Sequence, residues 1–227
     1  MAKDKPTIKR RFHSANVAVI GLGRFGSALA TELVKSGHQV LGIDTDEKIV
    51  QNLAPVLTHV VTADTTDEDN LRELGIADMD SAVVAIGADL ESSILTASLL
   101  LQLGVKQVWA KANSASHGRI LSQIGVQHVI FPEYEMGRRV AHQVSGESLD
   151  YVHIDEDFVM VKTYVPQVYE GKHLHDAKIR ATFGVTVVAI NDGNGYKPAF
   201  PESVLNKGDQ IVIAGPKGPL DQFCQLD

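Results

Sequence analysis

Short apolar runs alternate along the first 130 residues with stretches whose apolar positions recur every three or four residues. "VAVIG" (17–21) predicts a strand ending at glycine, and a helical pattern follows from Ser27 to Lys35, closed by Gly37. The unit then recurs: "QVLGID" before "DEKIVQNLAPV", "HVVTAD" before "DEDNLRELGI", "SAVVAIG" before "ESSILTASLLLQLG", "QVWAKA" before "HGRILSQIG", and finally "HVIFP". Strands that are apolar throughout, joined by helices and short connections, predict a parallel sheet covered on both faces. The expected class is α/β, a Rossmann-like doubly wound fold. Asp44 and Asp46 are both available to cap the helix after the second strand.

The pattern changes at Pro132. "PEYEMGRRVAHQVS" predicts a helix with proline in its first turn, serving as a connector. Beyond it "YVHIDEDFVMVKTYV" alternates like strands, "KHLHDAKIRATFG" predicts one helix, and "VTVVAI", "YKPAF" and "DQIVIAG" predict strands separated by Asn, Asp and Gly turns. This part reads as a small α+β domain. The expected division is a flexible basic tail at 1–14, a first domain at 15–131, a connecting helix at 132–148 and a C-terminal domain at 149–227.

Composition narrows the function. A formal net charge of −7 over 227 residues argues against nucleic acid as a partner, because a phosphate-tracking protein carries a basic face. The apolar runs are too short to span a bilayer, and "MAKDKPTIKRRF" has no apolar segment after its basic residues, so it is no secretory signal. The single cysteine, Cys224, has no internal partner for a disulfide, which suits a reducing cytoplasm.

Gly21, Gly23 and Gly26 form G-x-G-x-x-G between a predicted strand and a predicted helix, the context that the fingerprint requires. The first glycine permits the turn, the second admits a pyrophosphate to the backbone, and the third lets helix and strand pack closely. Amides at the helix start then hold phosphate. Asp44 ends the second strand, near the spacing expected of an acid that binds ribose hydroxyls and disfavours a 2′-phosphate. The bland alternative is that the glycines only make a tight turn.

Asp64 and Thr65, Ala85 to Gly87, and Lys111 stand at the carboxyl ends of later strands, where open α/β sheets bind ligands. Asp64 could instead cap a helix. Lys111 could be a solvated strand end, or a point charge for phosphate. Arg24 is an extra cation in a turn that already supplies amides, which points to extra phosphate charge; otherwise it is a surface arginine. Glu133 follows the last predicted strand, where a carboxylate beside phosphate suits a hard cation, or simply complements a helix N-terminus.

"VAVIGLGRFGSALATEL", "AIGADLESSILTASLL", "WAKANSASHGRILSQIGVQHVIFPEYEMGRRVA" and "LNKGDQIVIAG" together resemble the cytoplasmic regulatory subunits of Ktr and Trk-type potassium uptake systems. These proteins are built from a regulator of potassium conductance (RCK) nucleotide domain and a C-terminal RCK domain. The resemblance, to the single-RCK form, covers nearly the whole chain after the tail. It implies a homodimer assembling into an octameric ring beneath a membrane potassium-translocating subunit, with ATP or ADP, alternatively NAD or NADH, in the cleft.

Carried over by motif, Gly21, Leu22, Gly23, Arg24, Phe25 and Gly26 would form the phosphate turn, Arg24 reaching the γ-phosphate in the dimer partner. Asp44, Thr45 and Asp46 would adjoin the ribose. Asp64, Thr65, Ala85, Ile86, Gly87, Lys111 and His117 would line the remainder. Glu133 would help hold a divalent cation or Na+ between two nucleotides. In some relatives the C-terminal domain binds cyclic di-AMP, and Ile179, Arg180 and Ala181 match that segment; Arg180 could equally be a helix-surface arginine.

Catalysis finds little support. An NAD(H)-dependent oxidoreductase or redox sensor is the alternative function, yet the C-terminal part offers no acid–base constellation and no nucleophile motif. "SLDYVHIDEDF" is an acidic run of the kind that forms a solvated face or turn. His173 and His175 stand two apart beside Asp176. On a helix that spacing places them on different faces, so they converge only in a strand or turn, and zinc is not expected without further ligands.

Overall fold

The computed structural model describes residues 14–145, 148–155 and 157–226. The tail expected at 1–14 falls almost wholly outside them. Two compact units divide at Pro132/Glu133.

The first unit runs β1 (Asn16–Ile20), α1 (Arg24–Lys35), β2 (Gln39–Asp44), α2 (Glu47–Leu53), β3 (His59–Thr62), α3 (Glu68–Glu73), β4 (Ser81–Val84), α4 (Leu90–Gln102), β5 (Val108–Lys111), α5 (Ala115–Gln123) and β6 (His128–Ile130). Its six strands are all parallel, in the order β3-β2-β1-β4-β5-β6. That is the Rossmann order. Side chains alternate across β1: Val17 and Val19 face one core with Val40, Ala30 and Leu57, while Ala18 and Ile20 face the other with Val84, Leu100 and Leu121. Both faces are covered, which is why these strands read as unbroken apolar runs. The order reverses between β1 and β4, and the crevice at their carboxyl ends is where this fold places ligands.

The second unit begins in α6 (Pro132–Val144), which has no buried residue, and continues through β7 (Asp150–His153), β8 (Phe158–Tyr164), β9 (Lys172–His173), α7 (Leu174–Ala177), α8 (Ile179–Phe183), β10 (Thr186–Asn191), β11 (Tyr196–Pro198), β12 (Val204–Leu205), β13 (Gln210–Pro216) and α9 (Lys217–Cys224). Five strands form an antiparallel sheet ordered β11-β10-β13-β8-β7, and β9 pairs with β12 apart from it. Val159, Val161, Ile211 and Ile213 pack with Phe223 and Leu220 of α9.

Three expectations need correction. The segment 172–184 is not one helix: Lys172 and His173 pair with β12, and the remainder breaks at Lys178, whose φ is +50°. Helix α1 starts at Arg24, three residues before Ser27. The acidic run 148–158 is partly the edge strand β7, with Asp150 held by Arg139 through two bonds of 2.6 Å.

Candidate functional site

The glycine-rich turn joins β1 to α1 at the switch point. Gly21 has φ +86°, and a Cβ there would stand 2.9 Å from the Ile86 amide nitrogen; a Cβ on Gly26 would stand 1.9 Å from Gly21 O. Packing alone demands both glycines. Gly23 differs: its φ of −64° suits any residue, and a Cβ there would meet nothing within 4 Å. The fold therefore does not need glycine at 23, and the backbone there is open to approach.

What a ligand would meet is electropositive. Gly23 is the N-cap of α1 and offers no side-chain cap, and no acidic residue occupies the first turn. The first amides of a helix lack intrahelical acceptors, and the helix dipole adds partial positive charge there. Arg24, exposed, is the first helical residue. A guanidinium at that end is unfavourable to the helix by itself, and an anion reverses the sign of the effect.

Asp44, at the end of β2, is already oriented. One carboxylate oxygen accepts from the Leu22 amide at 2.6 Å and the other from the Asp46 amide at 2.9 Å. It thus ties the acid at the strand end to the glycine-rich turn. Asp46 caps α2 by accepting from Lys48 N at 2.8 Å, and Thr45 is exposed beside it.

On the other side of the crevice, Ala85, Ile86 and Gly87 follow β4, and Ala85 N donates to Ile20 O at 2.7 Å. Lys111 is buried at the end of β5, with Nζ 6.0 Å from the centre of the Phe25 ring and 3.3 Å from where a Gly87 Cβ would stand. Gly87 O accepts from the Asn113 side chain, a contact that the sequence reading missed.

Asp64, Thr65, His117 and Glu133 complete the expected set. Asp64 caps no helix, since Asp67 caps α3; its carboxylate accepts from the Thr66 amide at 2.9 Å and hydroxyl at 2.7 Å, which hold it below the usual carboxylate range. The Thr65 hydroxyl is turned inward, 2.9 Å from that of Thr96. His117 is 1 % exposed and takes a hydrogen bond from Asn113 N through Nδ1 at 3.3 Å, so it sits behind the crevice wall, and burial pushes its pKa down. Glu133 opens the second unit, exposed in the first turn of α6.

Residues 17–132 match the TrkA-N domain model and 159–226 the TrkA-C domain model. The chain is 35 % identical to the Ktr system potassium uptake protein A of Bacillus subtilis (strain 168), over 94 % of this chain and 97 % of that one. The chain belongs to the TrkA-N/TrkA-C family. That relative is a potassium uptake protein by name.

Among solved structures, a GsuK channel bound to NAD is similar with a TM-score of 0.67 at 17 % identity, over 92 % of this chain and 39 % of that one. A GsuK bound to ADP is similar with a TM-score of 0.52 at 17 % identity, over 62 % of this chain and 39 % of that one. The TrkA-N/TrkA-C chain thus spans about two fifths of the length of those channels, and the likeness is one of fold. No helix among the described residues is long and apolar enough to cross a membrane.

Proposed function

We propose that this chain is a cytoplasmic regulatory subunit of a Ktr-type potassium uptake system, which senses ATP against ADP and passes that reading to a membrane potassium-translocating subunit. The observation that carries the proposal is the open Gly23 above the uncapped, arginine-bearing start of α1. Membership in a potassium uptake family supplies the context.

In this reading residues 15–131 bind the nucleotide, 132–148 connect, and 149–227 form the C-terminal domain. The Gly21–Gly26 turn holds phosphates through its amides. Asp44, with Thr45 and Asp46 adjoining, takes the ribose hydroxyls. Ala85, Ile86, Gly87 and Lys111 form the far wall, the backbone at Asp64 and Thr65 its edge, and His117 supports it from behind. Arg24 measures phosphate count, in its own subunit or a partner's. NAD or NADH is the alternative occupant, since Asp44 suits any ribose without a 2′-phosphate.

Glu133 contributes a carboxylate to a divalent cation or Na+ whose other ligands are phosphate oxygens. The described residues contain no group of three His, Cys, Asp or Glu side chains that could hold a metal ion unaided. Homodimers assembled into an octameric ring would convert a ligand-dependent shape into a pull on the membrane partner. The second unit has a groove of about 500 Å³ whose lining includes Ile179, Arg180 and Ala181. Cyclic di-AMP is its proposed occupant, with Arg180 as the phosphate contact.

Calorimetric titration of ATP and ADP into the Arg24→Ala chain tests the core of this reading. ATP should weaken at least tenfold and ADP by less than threefold. Equal weakening of both would remove Arg24 from any role in discrimination.

A further inference from the structure

Among the described residues Lys178 is the one besides glycine with a positive φ, at +50° with ψ +26°. That left-handed region is open to glycine and tolerated by asparagine, whereas a longer L side chain there crowds its own backbone. The conformation is held from both sides. Lys178 closes α7 and opens α8, and its carbonyl oxygen accepts from the amide and from the hydroxyl of Thr182, each at 3.0 Å. Glycine would make the same junction without strain, so the junction accounts for the backbone and not for the lysine. Strained conformations of this kind cluster where a ligand is clamped.

The surroundings say what kind of ligand. Lys178 and Arg180 both line the groove of about 500 Å³, with Ile179, Val187 and Phe200 among its apolar residues. No aspartate or glutamate lines it, in a chain whose formal net charge is −7. Among the described residues neither the Lys178 ammonium nor the Arg180 guanidinium makes a hydrogen bond or ion pair, and the neighbouring carboxylate, Asp176, lies against His175 Nε2 at 3.2 Å. Two uncompensated cations on one acid-free wall repel each other, and an anion in the groove is attracted by both.

We propose that Lys178 is a second phosphate contact in this groove, beside Arg180, and that the left-handed junction carries lysine for the sake of that contact. The inference rests on the reading of the groove as a cyclic di-AMP site, and it adds a second cation per chain to the recognition of the ligand's phosphates. The two cations differ in what they supply. Arg180 offers a planar fork of donors that fixes orientation, and Lys178 a point charge that adds attraction without demanding one geometry. Folding and binding then make opposite demands at 178: glycine suits the backbone, and lysine suits the phosphate.

The test is calorimetric titration of cyclic di-AMP into the full chain, unaltered and as Lys178→Gly, Lys178→Asn and Lys178→Arg, with thermal melts of each without ligand. Glycine and asparagine both accept the left-handed backbone, so these two variants should melt at or above the temperature of the unaltered chain while binding at least fivefold more weakly. Lys178→Arg keeps the charge and should bind within about twofold of the unaltered chain. Raising salt from about 50 to about 200 mM should weaken the unaltered chain more than Lys178→Gly, which has one charge fewer to screen. A lysine that served only the fold would show affinity falling together with stability. Full affinity in both Lys178→Gly and Lys178→Asn would overturn the role of Lys178 and leave the groove's occupant standing. A lowered melting temperature in both would assign the lysine to the fold and overturn the role as well. No binding of cyclic di-AMP by the unaltered chain would overturn the occupant and this inference together.

Discussion

At the carboxyl ends of the parallel strands, the first unit turns its polar groups toward backbone amides and open space; where α6 meets β7, the second unit turns them toward one another. Asp44 accepts from Leu22 and Asp46, and nothing caps α1. In the second unit Arg139 grips Asp150, Arg138 donates to His153 Nε2 at 2.7 Å, and His142 stacks on Tyr151 with centres 3.9 Å apart. The Tyr151 hydroxyl reaches Asp221 at 3.4 Å, and burial first, then the Asp221 charge, pushes its pKa to about 12. One set of groups is satisfied internally and serves stability. The other is oriented but leaves a helix start uncompensated, which is how a binding site differs from a structural contact.

The sharpest way to break this contrast is inside the fingerprint itself. Gly26→Ala forces a Cβ onto Gly21 O and should cost more than about 3 kcal/mol, read as a shift in the denaturant midpoint or as failure to fold. Asp44→Ala removes the acceptor for two backbone amides, so stability should fall by roughly 1–2 kcal/mol and nucleotide affinity at least tenfold. Loss of stability with affinity intact would reduce Asp44 to a structural tie.

Acid sharpens the other side of the comparison. Burial, with Arg138, Lys217 and His142 nearby, holds the His153 imidazole below its usual value against the opposing pull of Asp221. The unfolded chain then takes up its proton first, near pH 6.5, so this contribution is complete above that pH and declines as pH falls toward the folded value. His117 acts in the same direction. Glutamine at 153 keeps an acceptor for Arg138 without titrating, so His153→Gln should shrink the loss of stability between pH 6.5 and 5, measured by urea unfolding. The smallest effect is expected at Lys178, where glycine would relieve the left-handed backbone: Lys178→Gly should change stability by less than about 1 kcal/mol, toward the stable side.

The first unit was legible because parallel strands buried on both faces leave short apolar runs, and here these alternate with helical patterns and end at turn residues. Gly26, a poor helix former, lies in the first turn of α1, so the helical pattern becomes evident only from Ser27; the fixed geometry of the turn, not propensity, begins the helix at Arg24. In the second unit, the apolar spacing of "KHLHDAKIRATFG" continues through Lys178, and the pairing of β9 with β12 that breaks it is a contact 33 residues away in sequence at Lys172–Leu205, invisible locally. Helix α9 has no counterpart among the sequence expectations; Gly218 and Pro219 are turn formers by type, although proline is tolerated in a first helical turn. The inward turn of Thr65 toward Thr96 is likewise tertiary.

The central claim is that Gly23 is glycine for a ligand's sake and not for the fold's. Gly23→Ala, placed in open space with an ordinary φ, isolates it. Thermal melts together with ATP titration of this one variant should show stability unchanged within about 0.5 kcal/mol and nucleotide affinity reduced at least tenfold. Full ATP affinity in the folded variant would contradict the account, because the amides of α1 would then not be where the phosphates lie.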